Sequence, residues 1–173
     1  YIYWYAADPQ NPTYTVSFDS DGGTGTMADV TGIFDKYVLP PSTFTAPAGK
    51  YFAGWFVGGY VKDPGESITV LSNTTVYANW RNIPAPGYGY SVTYDGGNEC
   101  GGSMAAQNKT DFYGELTLPA CGFTPPAGKR FSHWQVGNNS WNPGDKIIIN
   151  FDTTVNAVWE DLPAESHPVT IPM

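Results

Sequence analysis

Apolar and polar residues alternate in short stretches along the whole chain. Tyr14, Val16 and Phe18 form one stretch, Ile68 and Val70 another, and Val76, Ala78 and Trp80 a third. A period of two puts every second side chain on one face of a strand. Gly, Pro and Asn bound each stretch, so the pattern predicts strands with one buried face. Phe52 and Trp55 to Val57 follow the same rule with a local irregularity. Pro40, Pro41 and Pro47 exclude a long helix here, as Pro119, Pro125 and Pro126 do further on, leaving space for a turn or two at most.

The pattern occurs twice. Tyr14-Thr15-Val16-Ser17-Phe18-Asp19 recurs as Tyr90-Ser91-Val92-Thr93-Tyr94-Asp95, each followed by a Gly-rich turn and then Met27 or Met104. Leu39-Pro40, Pro47-Ala48-Gly49-Lys50, Phe52, Trp55, Pro64-Gly65, Thr74-Thr75-Val76 and Trp80 recur as Leu118-Pro119, Pro126-Ala127-Gly128-Lys129, Phe131, Trp134, Pro143-Gly144, Thr153-Thr154-Val155 and Trp159. The offset grows from 76 positions at Tyr14 to 79 at Trp80, so three extra residues enter the second copy between Tyr94 and Leu118. Gly and Asn mark that stretch as surface loop, where added length costs little.

The repeat divides the chain into five parts: 1–13, an orphan terminal strand with its linker; 14–80, a first module; 81–89, a linker; 90–159, a second module; and 160–173, a linker with an orphan first strand. Trp80 precedes Tyr90 by the same ten residues that separate Trp4 from Tyr14. Tyr1, Ile2, Tyr3 and Trp4 therefore align with the last strand of a missing repeat. Val169, Thr170 and Ile171 align with the first strand of another. Two readings follow: a piece cut from a longer array, or a subunit whose end strands pair with those of its neighbours. A strand added to another sheet gains affinity from backbone hydrogen bonds and specificity from alternate side chains.

Composition narrows the partners. Eight Lys and Arg stand against 16 Asp and Glu, a formal charge of −8 that repels phosphate backbones and anionic headgroups. Nucleic acid is an unsuitable partner. No apolar run approaches the roughly 20 residues that span a bilayer, so membrane insertion is not expected, and no basic-then-apolar leader opens the chain.

The ordered motifs Tyr-x-Val-x-Phe/Tyr-Asp, Leu-Pro, Pro-Ala-Gly-Lys-x-Phe, Trp, Pro-Gly and Thr-Thr-Val, present in both copies, resemble the Listeria–Bacteroides repeat, the B-repeat of internalin-type surface proteins. The resemblance spans roughly residues 14–80 and 90–159. It implies a mostly β fold, α+β of the β-grasp-like kind, built as two tandem small modules joined by a Pro/Gly linker. It also implies an extracellular or cell-surface location, spacer, adhesive or assembly roles, no enzyme activity and no cofactor. The second copy departs from the pattern where His133 replaces Gly54 and where Cys100 and Cys121 appear without counterparts.

Each chemically suggestive group meets a plainer explanation. In an oxidising exterior Cys100 and Cys121 read first as a disulfide. With His133 they are too few and too irregularly spaced for a metal site, which lacks the C-x-x-C signature. His133 and His167 are the only histidines, which leaves a duplicated Ser-His-Asp or Cys-His arrangement without a base. Asp19-Ser20-Asp21-Gly22-Gly23 and Asp95-Gly96-Gly97-Asn98 suit turns better than a calcium loop. Asp63 and Glu66 flank a Pro-Gly turn, with Asp145 in place of Glu66, and read as solvated turn residues rather than a glycosidase pair.

Trp55, Trp80, Trp134 and Trp159 recur at core-strand positions and read as packing. Tyr60 and Trp141, placed at the tip of the following hairpin, are expected to be exposed and are the candidates for ligand contact. Asn73, Asn108 and Asn138 open Asn-x-Ser/Thr triplets and are possible glycan acceptors. The expected function is a non-enzymatic extracellular structural protein. It would assemble through its modules and end strands into a filament, sheath or array, by head-to-tail self-association. The alternative is an adhesin stalk or ligand-binding segment of a larger surface protein, with a host or matrix ligand as partner.

Overall fold

The computed structural model describes residues 11–164. Strands β1 (Tyr14–Asp19), β2 (Val30–Ile33), β3 (Asp35–Val38), β4 (Lys50–Val57), β5 (Tyr60–Lys62), β6 (Ser67–Val70) and β7 (Thr74–Asn82) make up the N-terminal half. The C-terminal half carries β8 (Tyr90–Asp95), β9 (Lys109–Phe112), β10 (Gly114–Thr117), β11 (Lys129–Val136), β12 (Asn139–Trp141), β13 (Lys146–Ile149) and β14 (Thr153–Asp161). The orphan-strand residues Tyr1 to Trp4 and Val169 to Ile171 lie outside the described residues.

Each half forms an open five-stranded sheet and a two-stranded ribbon. The order β2-β1-β7-β4-β5 in the first half matches β9-β8-β14-β11-β12 in the second, and ribbon β3-β6 matches β10-β13. In each sheet the first and last strands run parallel, Val16 to Asp19 beside Thr74 to Tyr77 and Val92 to Asp95 beside Thr153 to Asn156. All other pairings of named strands are antiparallel. No α-helix occurs among the described residues, and the α component expected of the fold is therefore missing there. The sole helical stretch is a 3-10 turn at Ala105–Gln107, inside the segment that the second copy lengthens.

The burial follows the alternation. Val16, Trp55, Ile68, Val70, Val76 and Ala78 meet between the first sheet and its ribbon, and Val92, Trp134, Ile147, Ile149 and Val155 meet in the second. Burying an indole removes a large apolar area from water but strands its N–H unless an acceptor is at hand. Trp55 and Trp134 are wholly buried, and each donates Nε1–H to a proline carbonyl, Pro40 or Pro119, at 2.8 Å. Trp80 and Trp159 do likewise to the carbonyls of Ser20 and Gly96. Both copies thus use their four indoles as packing pieces with a polar anchor.

The irregularity at Phe52 to Trp55 is a β-bulge. Phe52 faces Trp80 while Trp55 faces Ala78, so one residue is left over on β4. Gly54 takes the strained place with φ of 114°, and a Cβ there would stand 2.8 Å from Val61. The second copy bulges at the same place, between Phe131 and His133. There His133 has no positive φ, and its Nδ1 lies 2.9 Å from Ser132 Oγ.

Candidate functional site

The residues that distinguish this chain gather where the halves meet. In β13, Ile147 and Ile149 point into the C-terminal core, and the period of two sends Ile148 to the opposite face. Ile148 is nonetheless 6% exposed, because it packs on Tyr51 and Ala53 of β4, with Phe52 beside them. Covering such a side chain contributes about 1.5–3 kcal/mol to the contact. Tyr113 adds a ring 5.1 Å from that of Tyr51, and Gly114 lies beside it, where a Cβ would meet the Tyr51 ring at an ordinary 3.9 Å.

Polar groups frame this apolar patch. Asn139 donates Nδ2–H to Glu66 Oε1 at 2.9 Å, and Arg81 donates Nη1–H to the Asn150 carbonyl at 3.2 Å. Asn150 reaches back to the Ala53 carbonyl at 3.5 Å, a long and weak contact. Glu66 also accepts from the Asp63 backbone N–H, closing the Pro-Gly turn as Asp145 does for Asn142. The two turns share this local device, and only the first is covered by the other half.

That cover changes Asp63. Burial pushes its carboxyl up to about 7, the neighbouring Glu66 charge adds to the rise, and a hydrogen bond from the Ile148 backbone opposes it. Asp63 lines a small cavity with Glu66, Arg81, Asn139, Ile148 and Asn150, and no charged residue of the C-terminal half enters that cavity. The counterpart of Asp63 in the second copy is the neutral Asn142.

The linker is tied down as well. Asp111, at φ of 53°, accepts the backbone N–H groups of Gly87 at 2.8 Å and Gly89 at 2.7 Å. Those two bonds hold the Asp111 carboxyl below the usual carboxylate range. A Cβ on Gly89 would stand 2.5 Å from the Asp111 backbone, so only glycine allows this approach.

Beside the junction runs a groove of about 770 Å³ with Val38, Pro40, Pro41 and Lys62 on one wall and Asn139, Trp141 and Lys146 on the other. Trp141 corrects an expectation. It is 6% exposed, not solvent-facing, because it lies in β12 opposite Trp134 and forms part of the C-terminal core. The true tip of that hairpin is Gly137-Asn138, three and four residues earlier. Its ring also covers Gly65 of the other half, where a Cβ would stand 3.1 Å away. Tyr60 is 71% exposed at its own hairpin and does not line the groove, so the two candidates are not brought together.

Cys100 and Cys121 are unbonded thiols, both partly exposed. Burial pushes the Cys121 thiol up, a backbone bond at Phe123 lowers it, and the nearby Cys100 raises it again. Gly96 leaves the space that the Cys100 sulfur occupies. Asn73, Asn108 and Asn138 are all exposed. Asn73 accepts from the Thr15 backbone at 3.0 Å, as its counterpart Asp152 does from Ser91 at 2.9 Å, and Asn108 accepts from Tyr94 at 3.0 Å. Two of the three thus have a structural task in strand pairing.

Among the described residues no three His, Cys, Asp or Glu side chains stand together in a way that could hold a metal ion. No helix there is long and apolar enough to cross a membrane. The site that sequence reasoning missed is the junction itself. Its signal lies in the outward positions where the copies differ: Thr69 becomes Ile148, while Tyr51 and Ala53 become Arg130 and Ser132. An outward apolar residue in one copy opposite a polar one in the other marks a face that only one copy covers.

Two small sheets, each closed by a ribbon and repeated in tandem, define a β-rich repeat protein. Residues 14–79 match the family model of the Listeria-Bacteroides repeat domain, and that stretch of the chain is similar to this family. No curated protein and no solved structure matches the chain.

Proposed function

We propose that the chain is a non-enzymatic structural segment of a cell-surface protein, with residues 90–159 a second repeat of the same kind. In this reading the two repeats are fixed to one another as a building unit of a filament, sheath or array. The observation that carries it is the junction, in which Ile148 of the second copy fills a patch made by Tyr51 and Ala53 of the first. A flexible string of beads needs no such patch. The parallel pairing of first and last strands supports the β-grasp relationship, with the ribbon in the position that a helix would otherwise take. Backbone amide relaxation measured by NMR will return one rotational correlation time for both repeats. Two independent times would overturn the rigid-unit reading.

Self-association belongs to the same proposal. Pairing of the end segments rests on the sequence spacing of Tyr1 to Trp4 and Val169 to Ile171. Removing residues 1–13 will leave both repeats folded and abolish polymers that form by that route.

The groove favours a second reading, a segment that holds a ligand. Lys62, Lys146, Glu66, Asp145 and Asn139 give it charges of both signs and an amide, and Trp141 and three prolines give it apolar lining. A sugar or peptide ligand entering it will shift the fluorescence of Trp141, and Trp141→Phe will remove that shift.

The cysteines are proposed to join outside the cell. Mild oxidation will lower the mass of the chain by two hydrogens, abolish thiol labelling and raise stability by about 2 kcal/mol. Labelling of both thiols after oxidation would rule the bond out.

A further inference from the structure

The junction uses one face from each copy. The first copy gives the outer face of β4 and β7, with Tyr51, Ala53 and Arg81, and the second gives the outer face of its ribbon, with Tyr113, Gly114, Ile148 and Asn150. The ribbons match in register, Asp35 beside Val70 and Gly114 beside Ile149. Phe34, Asp35, Thr69 and Leu71 therefore hold, in the first copy, the places of Tyr113, Gly114, Ile148 and Asn150. This second docking face is open: Phe34 is 51% and Leu71 61% exposed, and the antiparallel register sets them opposite one another. Phe34 and Leu71 thus add exposed apolar area to this face.

The complementary face is also uncovered among the described residues. Arg130, Ser132 and Glu160 stand where Tyr51, Ala53 and Arg81 stand in the first copy. One pair of substitutions on the two open faces matches, Arg130 with Asp35, while Lys36 beside Thr69 has the same sign of charge as Arg130. At the existing junction the Tyr51 ring lies on Gly114 and Tyr113; at the open faces the equivalent residues are Arg130, Asp35 and Phe34. A guanidinium and a carboxylate thus replace a ring and a bare backbone. Arg130 would also cover the Phe34 ring, a cation–π arrangement in place of the tilted pair of tyrosine rings. Asp35 keeps the left-handed backbone of Gly114, with φ of 66° against 87°, while adding its charge. Glu160 takes the Nε hydrogen of Arg130 at 2.7 Å, leaving the Nη groups to meet Asp35.

We infer that a second copy of this chain docks the outer face of its β11, at Arg130 and Ser132, on the outer face of ribbon β3-β6, at Phe34, Asp35 and Leu71. The contact is heterologous, so it adds chains head to tail, into a ring where the rotation closes and a filament where it does not. This inference rests on the self-assembly reading above but uses module faces instead of end strands. Because the new pair is charged and solvent-facing, association depends on concentration and weakens with salt.

Sedimentation velocity over a concentration series tests it. The wild-type chain will show a weight-average mass that rises with concentration and falls when salt is added. Asp35→Arg and Arg130→Asp will each weaken association by about tenfold, and the double exchange will restore it. Phe34→Ser will weaken it with both charges intact. All three positions are exposed, and unchanged circular dichroism will confirm that the variants are folded. A wild-type chain that stays monomeric at every concentration overturns the inference while leaving the rigid two-repeat unit standing. Association that ignores these substitutions but disappears when residues 1–13 are removed also overturns it, in favour of strand pairing.

Discussion

Ile148→Asp will release the two repeats from each other while leaving each of them folded. The substitution removes an apolar side chain from the Tyr51 and Ala53 patch and sets a carboxylate there without a partner. Loss of the buried contact and desolvation of the charge together cost about 4 kcal/mol or more, which exceeds what the surrounding hydrogen bonds return. Amide relaxation will then resolve two correlation times, and calorimetry will separate one unfolding transition into two. The control is built into the sequence. Thr69→Asp changes the equivalent position of the first copy, which is exposed, and will alter stability by no more than about 0.5 kcal/mol. If Ile148→Asp leaves the tumbling of the two repeats unchanged, the junction does not hold them.

Asp63→Asn has the second largest expected effect, and it changes sign-sensitive behaviour with pH. The Asp63 carboxyl is raised by burial and by Glu66 from 3.8 to about 7. The folded junction therefore holds the proton more tightly than the separated or unfolded chain does. Its stabilising contribution is fully present below pH 3.8, declines as pH rises, and is lost above about pH 7. Asparagine keeps the oxygen that accepts from Ile148 and never ionises, as Asn142 already shows in the second copy. The variant will be more stable than the wild type by on the order of 3 kcal/mol at pH 8, with the two converging toward pH 4. Melting curves across that range check it. A variant no more stable than the wild type at pH 8 would show that the ionised carboxylate is well solvated at the junction.

The fold was legible wherever a rule of spacing applied. Alternation at Tyr14, Val16 and Phe18 and at Val76 and Ala78 marked strands because one face of a sheet must leave water, and repetition transferred each inference to the second copy. The irregularity at Phe52 to Trp55 was visible as a break in period, but its cause, a bulge that turns Gly54 to positive φ, needed the pairing of β4 with β7. Trp141 was misplaced because loop composition was read as exposure: Asn and Gly do mark the hairpin tip, yet Trp141 lies on the returning strand, where cross-strand pairing with Trp134 buries it. Asp63 and Glu66 read as solvated turn residues because nothing local shows that another repeat covers the turn. Such a contact lies between residues some eighty positions apart, and only the polar-to-apolar differences between copies, Thr69 against Ile148 above all, carry a trace of it.

The parallel pairing of β1 with β7 has a mechanical consequence. The chain enters the first repeat at Tyr14 and leaves at Asn82, and in parallel neighbours those points lie at opposite ends of the strand pair. Tension along the chain therefore slides the two strands past one another, loading the bonds from Val16 to Asp19 together instead of opening them one by one. The second repeat, with Val92 to Asp95 beside Thr153 to Asn156, is loaded in the same way. A chain built from such units yields to pulling only when a whole row of hydrogen bonds fails at once.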